Sequence, residues 1–493
     1  MKKRILTLLL LTVLLTGCAG DGTTETVGKT AGDTAPSTET ETLSEKERQI
    51  AALPTGDYGG YDFMMLNNES NFAYTQMSAE ELTGEGINDA IFNRNNAVAE
   101  RLNVKLVENK VPYAEVTSTM NTSIAAGDST YSCFWNESQF VAPFAIAGSL
   151  WNVHDIAPLS LDQPWWNAGA MADLTVGDYL YFLVGDLHLM FKESFWMVGF
   201  NKNIADDAGI EDLYGVVREG KWTMDKMGAA MTAARADLNG DGVMDGNDRF
   251  GVTCYSGCVI PLFIGAGETI VERDTDGIPH FVIPDDRFYQ AYEKLVSTYF
   301  AKNIDYTCLD GKTKAISQYA AEGMDAFHGV FLSGHALFYL EPIGSLKKLR
   351  SMDAEFGVLP YPKLDEAQQD YATYIANYAA VCGIPVSAED PERVGVVLEN
   401  LCGLSHWELQ DAYIKDTLSF KYIRDEDSRD MLDILFETGR FNLSDQLDVN
   451  TVRSKIQDSA IAGKDSVASI LEKALPAAEK KLNENIRKLT QAE

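Results

Sequence analysis

The chain has 493 residues, 45% of them hydrophobic, with 73 acidic against 41 basic side chains and a formal net charge of −32. A charge of that sign and size excludes nucleic acid and electrostatic docking on anionic lipid, because phosphate recognition needs a basic surface. The length predicts two or three domains, and the seven scattered cysteines do not form a disulfide framework.

The N-terminus reads MKKRILTLLLLTVLLTGCAG. Lys2, Lys3 and Arg4 precede the apolar run Ile5–Leu15, which is shorter than the roughly 20 residues of a membrane-spanning helix. Leu15-Thr16-Gly17-Cys18 resembles the bacterial lipobox. That resemblance implies removal of residues 1–17 as a signal peptide and attachment of a diacylglycerol to the Cys18 sulfur. The chain would then sit on the outer face of the cell membrane, lipid-anchored. The alternative is an ordinary cleaved signal peptide followed by a chance cysteine. Residues 19–52 are mostly Thr, Glu, Ser, Gly, Ala, Asp and Lys, with no aromatic residue. Such a segment cannot offset its ordering entropy by burial. Residues 18–56 therefore read as the lipid anchor and a disordered linker, reaching roughly 30 Å as a flexible coil.

Beyond the linker, short apolar runs alternate with helical patterns, which predicts α/β architecture. Tyr61–Leu66, Val104–Glu108 and Tyr131–Trp135 read as the first three strands, with a helix at Ile87–Leu102 between the first two. Tyr179–Val184 and Trp196–Phe200 read as further strands. Thr223 caps a helix over 224–236. Later strands are expected at Phe250–Cys254, Ala336–Leu340, Gly357–Pro360 and Ala379–Ile384. The final third is mostly helical and ends in an amphipathic stretch, Ser466–Leu489, interrupted at Pro476. Cys254 and Cys258 are near enough to pair if the local turn permits; otherwise they are small buried residues.

The sharpest motif is DLNGDGVMDGND at 237–248. Its spacing matches an EF-hand calcium loop, with Asp237, Asn239, Asp241, the Val243 carbonyl, Asp245 and Asp248 as ligands. Calcium takes six to eight oxygens, and alternating Asp and Asn supply them around a tight turn. Gly242 permits the positive φ of that turn. Asp248 stands where the motif usually has a bidentate glutamate, and a strand follows in place of a second helix. The expectation is a single structural calcium. The alternative is an Asn-Gly/Asp-Gly turn that binds nothing.

Several stretches in order carry a family resemblance. They are Asn88–Asn95, Pro164–Asn167 leading into Asp178–Tyr181, Phe200–Lys202, Leu213–Tyr214, Gly220–Thr223, Gly357–Lys363, Arg424–Ser428 and Met431–Asp433. Over residues 60 to 450 the chain resembles the extracellular solute-binding proteins of carbohydrate ABC transporters, the family of maltose-binding protein. Its likeness within that family is to the Gram-positive lipoproteins. The resemblance implies a two-lobed, type II periplasmic-binding-protein-like α/β fold with crossing hinge strands and a helical C-terminal part. The lobes would be 57–195 with 376–430, and 196–375 with 431–493. It further implies a non-enzymatic monomer that captures a sugar between its lobes and delivers it to the permease subunits.

Open α/β sheets bind ligand beyond the carboxyl ends of their strands. By that rule the candidates are Asn67, Asn68 and Glu69 after the first strand, and Trp135, Asn136 and Glu137 after the third. Trp196 lies at the expected crossing, Tyr255 after a second-lobe strand, Tyr339 and Glu341 at the end of another, and Trp407 on a later helix. Aromatic faces stack on sugar C–H surfaces and planar polar groups grip hydroxyls. Trp151, Trp165, Trp166 and Trp222 read as core. Two other functions use the same features: a surface glycoside hydrolase with paired carboxylates, and a calcium-stabilised adhesin or scaffold. Against the first, the sequence contains no HExxH, no GxSxG and no His/Cys cluster.

Overall fold

The computed structural model describes residues 43–70, 73–301, 305–414, 418, 425–447, 450–464 and 467–491. The expected signal peptide and Cys18 lie outside them. Residues Glu45–Glu493 form one compact unit.

Among the described residues nine strands build two main sheets. They are β1 (Tyr61–Glu69), β2 (Val104–Pro112), β3 (Cys133–Glu137), β4 (Trp196–Asn201), β5 (Phe250–Cys254), β6 (Thr307–Leu309), β7 (Ala336–Pro342), β8 (Phe356–Leu359) and β9 (Ala380–Gly383). The first sheet has the order β9-β3-β1-β2 and the second β8-β4-β7-β5-β6. In the first, β1 pairs in parallel with β2 and β3, while β9 returns antiparallel with Cys382 opposite Trp135. In the second, β5 runs parallel to β6 and β7, and β4 lies antiparallel to β7 and β8. The chain thus leaves the first sheet after β3, builds the whole second sheet, and comes back as β9. Two lobes follow from that path.

The passages between sheets touch. Phe195 bridges Ile375, and the Ala376 N–H donates to Ser194 O at 3.0 Å. A short strand at Thr373–Ile375 also pairs in parallel with Gly439–Phe441. These three segments form the crossing.

The capped helix and all the expected strands but one are present, with limits set by pairing. Thr223 accepts from the Lys226 N–H at the start of helix Met224–Ala234. β1 and β3 run on past their apolar runs, so Asn67, Asn68, Asn136 and Glu137 are strand residues. Tyr179–Val184 is not a strand. Leu183 exchanges two hydrogen bonds with Cys382, but Leu180 O accepts from Val153 N–H and Val184 O from Asn167 N–H. Its backbone groups are satisfied by three different segments, so no ladder propagates.

Helix Val467–Leu489 runs unbroken through Pro476. Its buried stripe of Leu471, Ala478, Leu482, Ile486 and Leu489 holds it in place, and tertiary packing outweighs the lost backbone bond.

The linker also ends earlier than expected. Glu45–Ala52 is a helix, and Leu53 is buried against Gly403, where a Cβ would lie 2.7 Å from the leucine Cδ2. Arg101 donates to Leu53 O at 2.6 Å and Asn400 to Pro54 O at 2.9 Å. Those backbone bonds tie down a segment whose composition is polar. Trp165 and Trp166 both donate to Glu399, at 3.0 and 2.8 Å, and Trp222 donates to Pro360 O at 2.9 Å. All three are core. The Cys254 and Cys258 thiols are buried and free. Among the described residues no helix is long and apolar enough to cross a membrane.

Candidate binding site between the lobes

A cavity of about 370 Å³ opens between the two sheets. The first lobe contributes Glu137, the last residue of β3, with Gln139 and Tyr378. Glu193 and Ser194 come from the segment that crosses into β4. The second lobe contributes Tyr255 after β5, Asp325, Phe327 and His328 around the start of helix Ala326–Leu332, and Glu341, Ser345 and Lys348 at and beyond the end of β7.

Its second-lobe wall is aromatic. The Tyr255 ring lies 5.3 Å from Phe327 and 5.9 Å from Trp196, which is buried beneath it. Gly257 makes room for that ring: a Cβ there would stand 2.4 Å from it. The shelf offers an apolar face of the kind on which sugar C–H groups stack.

Three buried glutamates supply the polar part. Glu341 accepts from the Ser345 hydroxyl at 2.5 Å, while its Oε1 has no partner. Burial pushes its carboxyl up to about 7, against Ser345 and Lys348, which pull it down. Glu193 accepts from the Tyr74 N–H at 2.7 Å and from the Tyr413 hydroxyl at 3.5 Å. Burial raises it to about 7 as well, opposed by Lys347 and those two donors. Glu137 is raised by burial to about 6, with the Gln139 amide opposing at 2.7 Å.

Lys348 Nζ lies 2.6 Å from His328 Nε2, and His328 Nδ1 lies 2.5 Å from the Tyr339 hydroxyl. An ammonium cannot accept, so Nε2 accepts and Nδ1 carries the proton toward Tyr339. Burial and Lys348 depress His328 to about 3, which keeps it neutral.

Of the residues singled out by sequence, the structure brings Glu137, Tyr255 and Glu341 together in this cavity. The others do not line it. Trp135 is 1% exposed and stacks on His188 at 6.2 Å, because β3 turns that side chain into the first lobe's core. Asn68 and Asn136 are buried side by side, with the Asn68 amide 3.5 Å from Asn136 Oδ1. Asn67 is committed to Thr75 O and Glu108. Trp196 supports Tyr255 from below, and Tyr339 holds His328 from behind. Trp407 ends helix Pro391–Trp407 beside His406 and does not line the cavity.

Glu193, Phe327, His328 and Lys348 carried no signal that strand-end reasoning uses. Glu193 is visible only as half of the charged pair Lys192-Glu193 inside the largely apolar stretch 187–198.

The acidic loop lies on the second lobe. A reciprocal pair of 2.9 Å hydrogen bonds between Ala236 and Arg249 closes its base. Gly242 takes φ +81°, as the turn requires. Its side chains cap the loop's own backbone: Asp237 accepts from Gly240 and Gly242, Asn239 from Asp241, Asp241 from Val243, and Asp245 from Asn247. Asp248 is fully buried and accepts from the Leu238 and Asp245 N–H groups, both at 2.9 Å. Among the described residues no group of three or more His, Cys, Asp or Glu side chains is gathered to hold a metal ion.

No family model and no curated protein sequence matches the chain. Solved structures do. The sugar-binding protein MalE from Xanthomonas citri superposes with a TM-score of 0.59 at 12% identity, covering 88% of this chain and 100% of that one. UspC of M. tuberculosis gives 0.56 at 15% identity, covering 85% and 100%. An ABC substrate-binding protein of Listeria monocytogenes, solved in complex with cycloalternan, gives 0.51 at 13% identity, covering 89% and 99%. The chain therefore has the two-lobed α/β fold of these binding proteins.

Proposed function

We propose that the protein is the receptor of a carbohydrate ABC importer, capturing a sugar between its lobes and releasing it to the permease. The observation that carries the reading is the interlobe cavity, where an aromatic shelf faces three buried glutamates within a fold shared with a MalE and a cycloalternan-bound receptor. Aromatic faces and planar acceptors are the two groups sugar recognition needs. Capture closes the lobes about the crossing at Phe195 and Ile375 by hinge motion. The receptor acts as a non-catalytic monomer, held on the outer face of the membrane by a diacylglycerol on Cys18. Two acyl chains suit a stable anchor. A single calcium, held by Asp237, Asn239, Asp241, the Val243 carbonyl, Asp245 and Asp248, stiffens the second lobe; the motif's spacing and its all-oxygen donor set support this.

The test is calorimetric titration with mono- and oligosaccharides, with chromatography of the sugars afterwards. Micromolar binding with intact sugar recovered is expected. Shortened products would replace the receptor by a glycoside hydrolase, for which three glutamates in one cavity supply acid and base candidates. Absence of binding to any carbohydrate would remove the reading.

A further inference from the structure

Carboxyls outnumber cations in the described lining of the interlobe cavity. Glu137, Glu193 and Glu341 come from three separate elements and are 6%, 4% and 5% exposed, and Asp325 joins them from an exposed position at the start of helix Ala326–Leu332. Among the described residues the lining holds one ammonium against these four carboxyls, Lys348, which lies 2.6 Å from His328 Nε2; Lys347 opposes the charge of Glu193 from outside the lining. His328 faces Lys348 as a neutral acceptor and adds no positive charge. Glu341 Oε1 is buried without a hydrogen-bond partner, and Asp325 adds repulsion to that carboxylate.

A buried carboxylate in this position is satisfied poorly by a neutral hydroxyl and well by a cation, since charge-assisted hydrogen bonds are about twice as strong as neutral ones. The shelf reinforces the preference, because the faces of Tyr255 and Phe327 carry the negative end of the ring quadrupole. At long range the −32 charge of the chain concentrates cations and repels anions.

We propose that the cavity selects a sugar carrying a protonated amine, its ammonium seated against Glu341 and Asp325 and its ring over Tyr255 and Phe327. The proposal rests on the carbohydrate reading and narrows it from sugars in general to amino sugars. Acetylation of the amine removes the charge and adds bulk, so the N-acetyl form is excluded along with acidic sugars. Glu193 and Glu137, on the facing walls, are the acceptors for the remaining hydroxyls.

The experiment is calorimetric titration of the full mature chain with gluco- and galacto-configured mono- and disaccharides, α- and β-linked. Each is offered with a hydroxyl, a free amine or an N-acetyl group at the same carbon. Binding of the amine form at least tenfold tighter than its hydroxyl and N-acetyl counterparts is expected. Raising sodium chloride from 50 to 500 mM should erode that advantage, and Glu341→Gln should abolish it. Asp325→Asn, at an exposed position whose side chain makes no capping hydrogen bond, should reduce the advantage severalfold and serves where Glu341→Gln fails to fold. Equal or tighter binding of the hydroxyl or N-acetyl forms overturns the amine preference while leaving the carbohydrate reading intact. Failure of every sugar to bind overturns both.

Discussion

Arg94 is wholly buried, and its guanidinium donates to Met77 O at 2.7 Å, Ser405 Oγ at 3.1 Å and Leu187 O at 3.3 Å. Burial lowers its pKa to about 10, so it stays charged at neutral pH, and it ties helix Gly86–Leu102 to helix Pro391–Trp407. Arg94→Ala strands those acceptors in the core. We expect a loss of about 3 kcal/mol, read as a lower urea midpoint.

Glu193 and Glu341 are opposite in kind, because burial raises both carboxyls from 4.5 to about 7. A raised carboxyl binds more protons in the folded than in the unfolded chain. Its contribution to stability therefore declines as pH rises from about 4.5 to about 7 and is constant above that. The displacement corresponds to roughly 3 kcal/mol per group. For Glu341 the facing groups are Ser345, Lys348 and Asp325; for Glu193 they are Lys347, Tyr74 and Tyr413. Glu341→Gln should flatten the fall in melting temperature between pH 5 and pH 8 and stabilise the empty protein at pH 8. An unchanged pH profile would show that Glu341 is not the group responsible.

At the scale of elements, Pro476 sits exposed in the middle of helix Val467–Leu489. The exposed ring adds little to the core there, yet it removes a backbone bond and crowds the preceding turn. Pro476→Ala should raise stability by about 1–3 kcal/mol, measured by thermal melting. A lower melting temperature would mean the ring shapes the helix's path.

The acidic loop makes two separable predictions. Chelation should lower the melting temperature if calcium is bound, and an identical melt with and without chelator would count decisively against the cation. Asp248→Ala should destabilise by about 2 kcal/mol in either case, because two buried N–H groups lose their acceptor.

Across the whole molecule, the chain passes between the two sheets where Phe195, Ile375 and the strand Gly439–Phe441 run together; in the first lobe Ala172 O also accepts from Arg273, and the Gly177 N–H donates to Gly277 O, both of the second. The proposed capture requires the lobes to rotate about that crossing while each sheet stays rigid. Small-angle scattering should show a smaller radius of gyration on addition of a bound sugar. No change at saturation would remove hinge closure from the proposal.

The sequence alone determined the α/β class, most strands, the helix capped by Thr223 and the loop turn at Gly242. Each of these depends on residues close in the chain: apolar runs, a cap, a glycine with positive φ. It also supplied Glu137, Tyr255 and Glu341, because strand ends are visible as the places where apolar runs stop. Only the tertiary structure decided that Trp135 faces the core and that Tyr179–Val184 forms no ladder. One depends on which side of β3 meets His188, the other on three distant segments competing for the same backbone groups. Glu193, Phe327, His328 and Lys348 reach the cavity from segments up to 155 positions apart (348 − 193), brought together by the crossing between sheets. The charge imbalance of the cavity is likewise invisible in composition. An overall excess of acid says nothing about which carboxylates lose their water, and burial is a property of the fold.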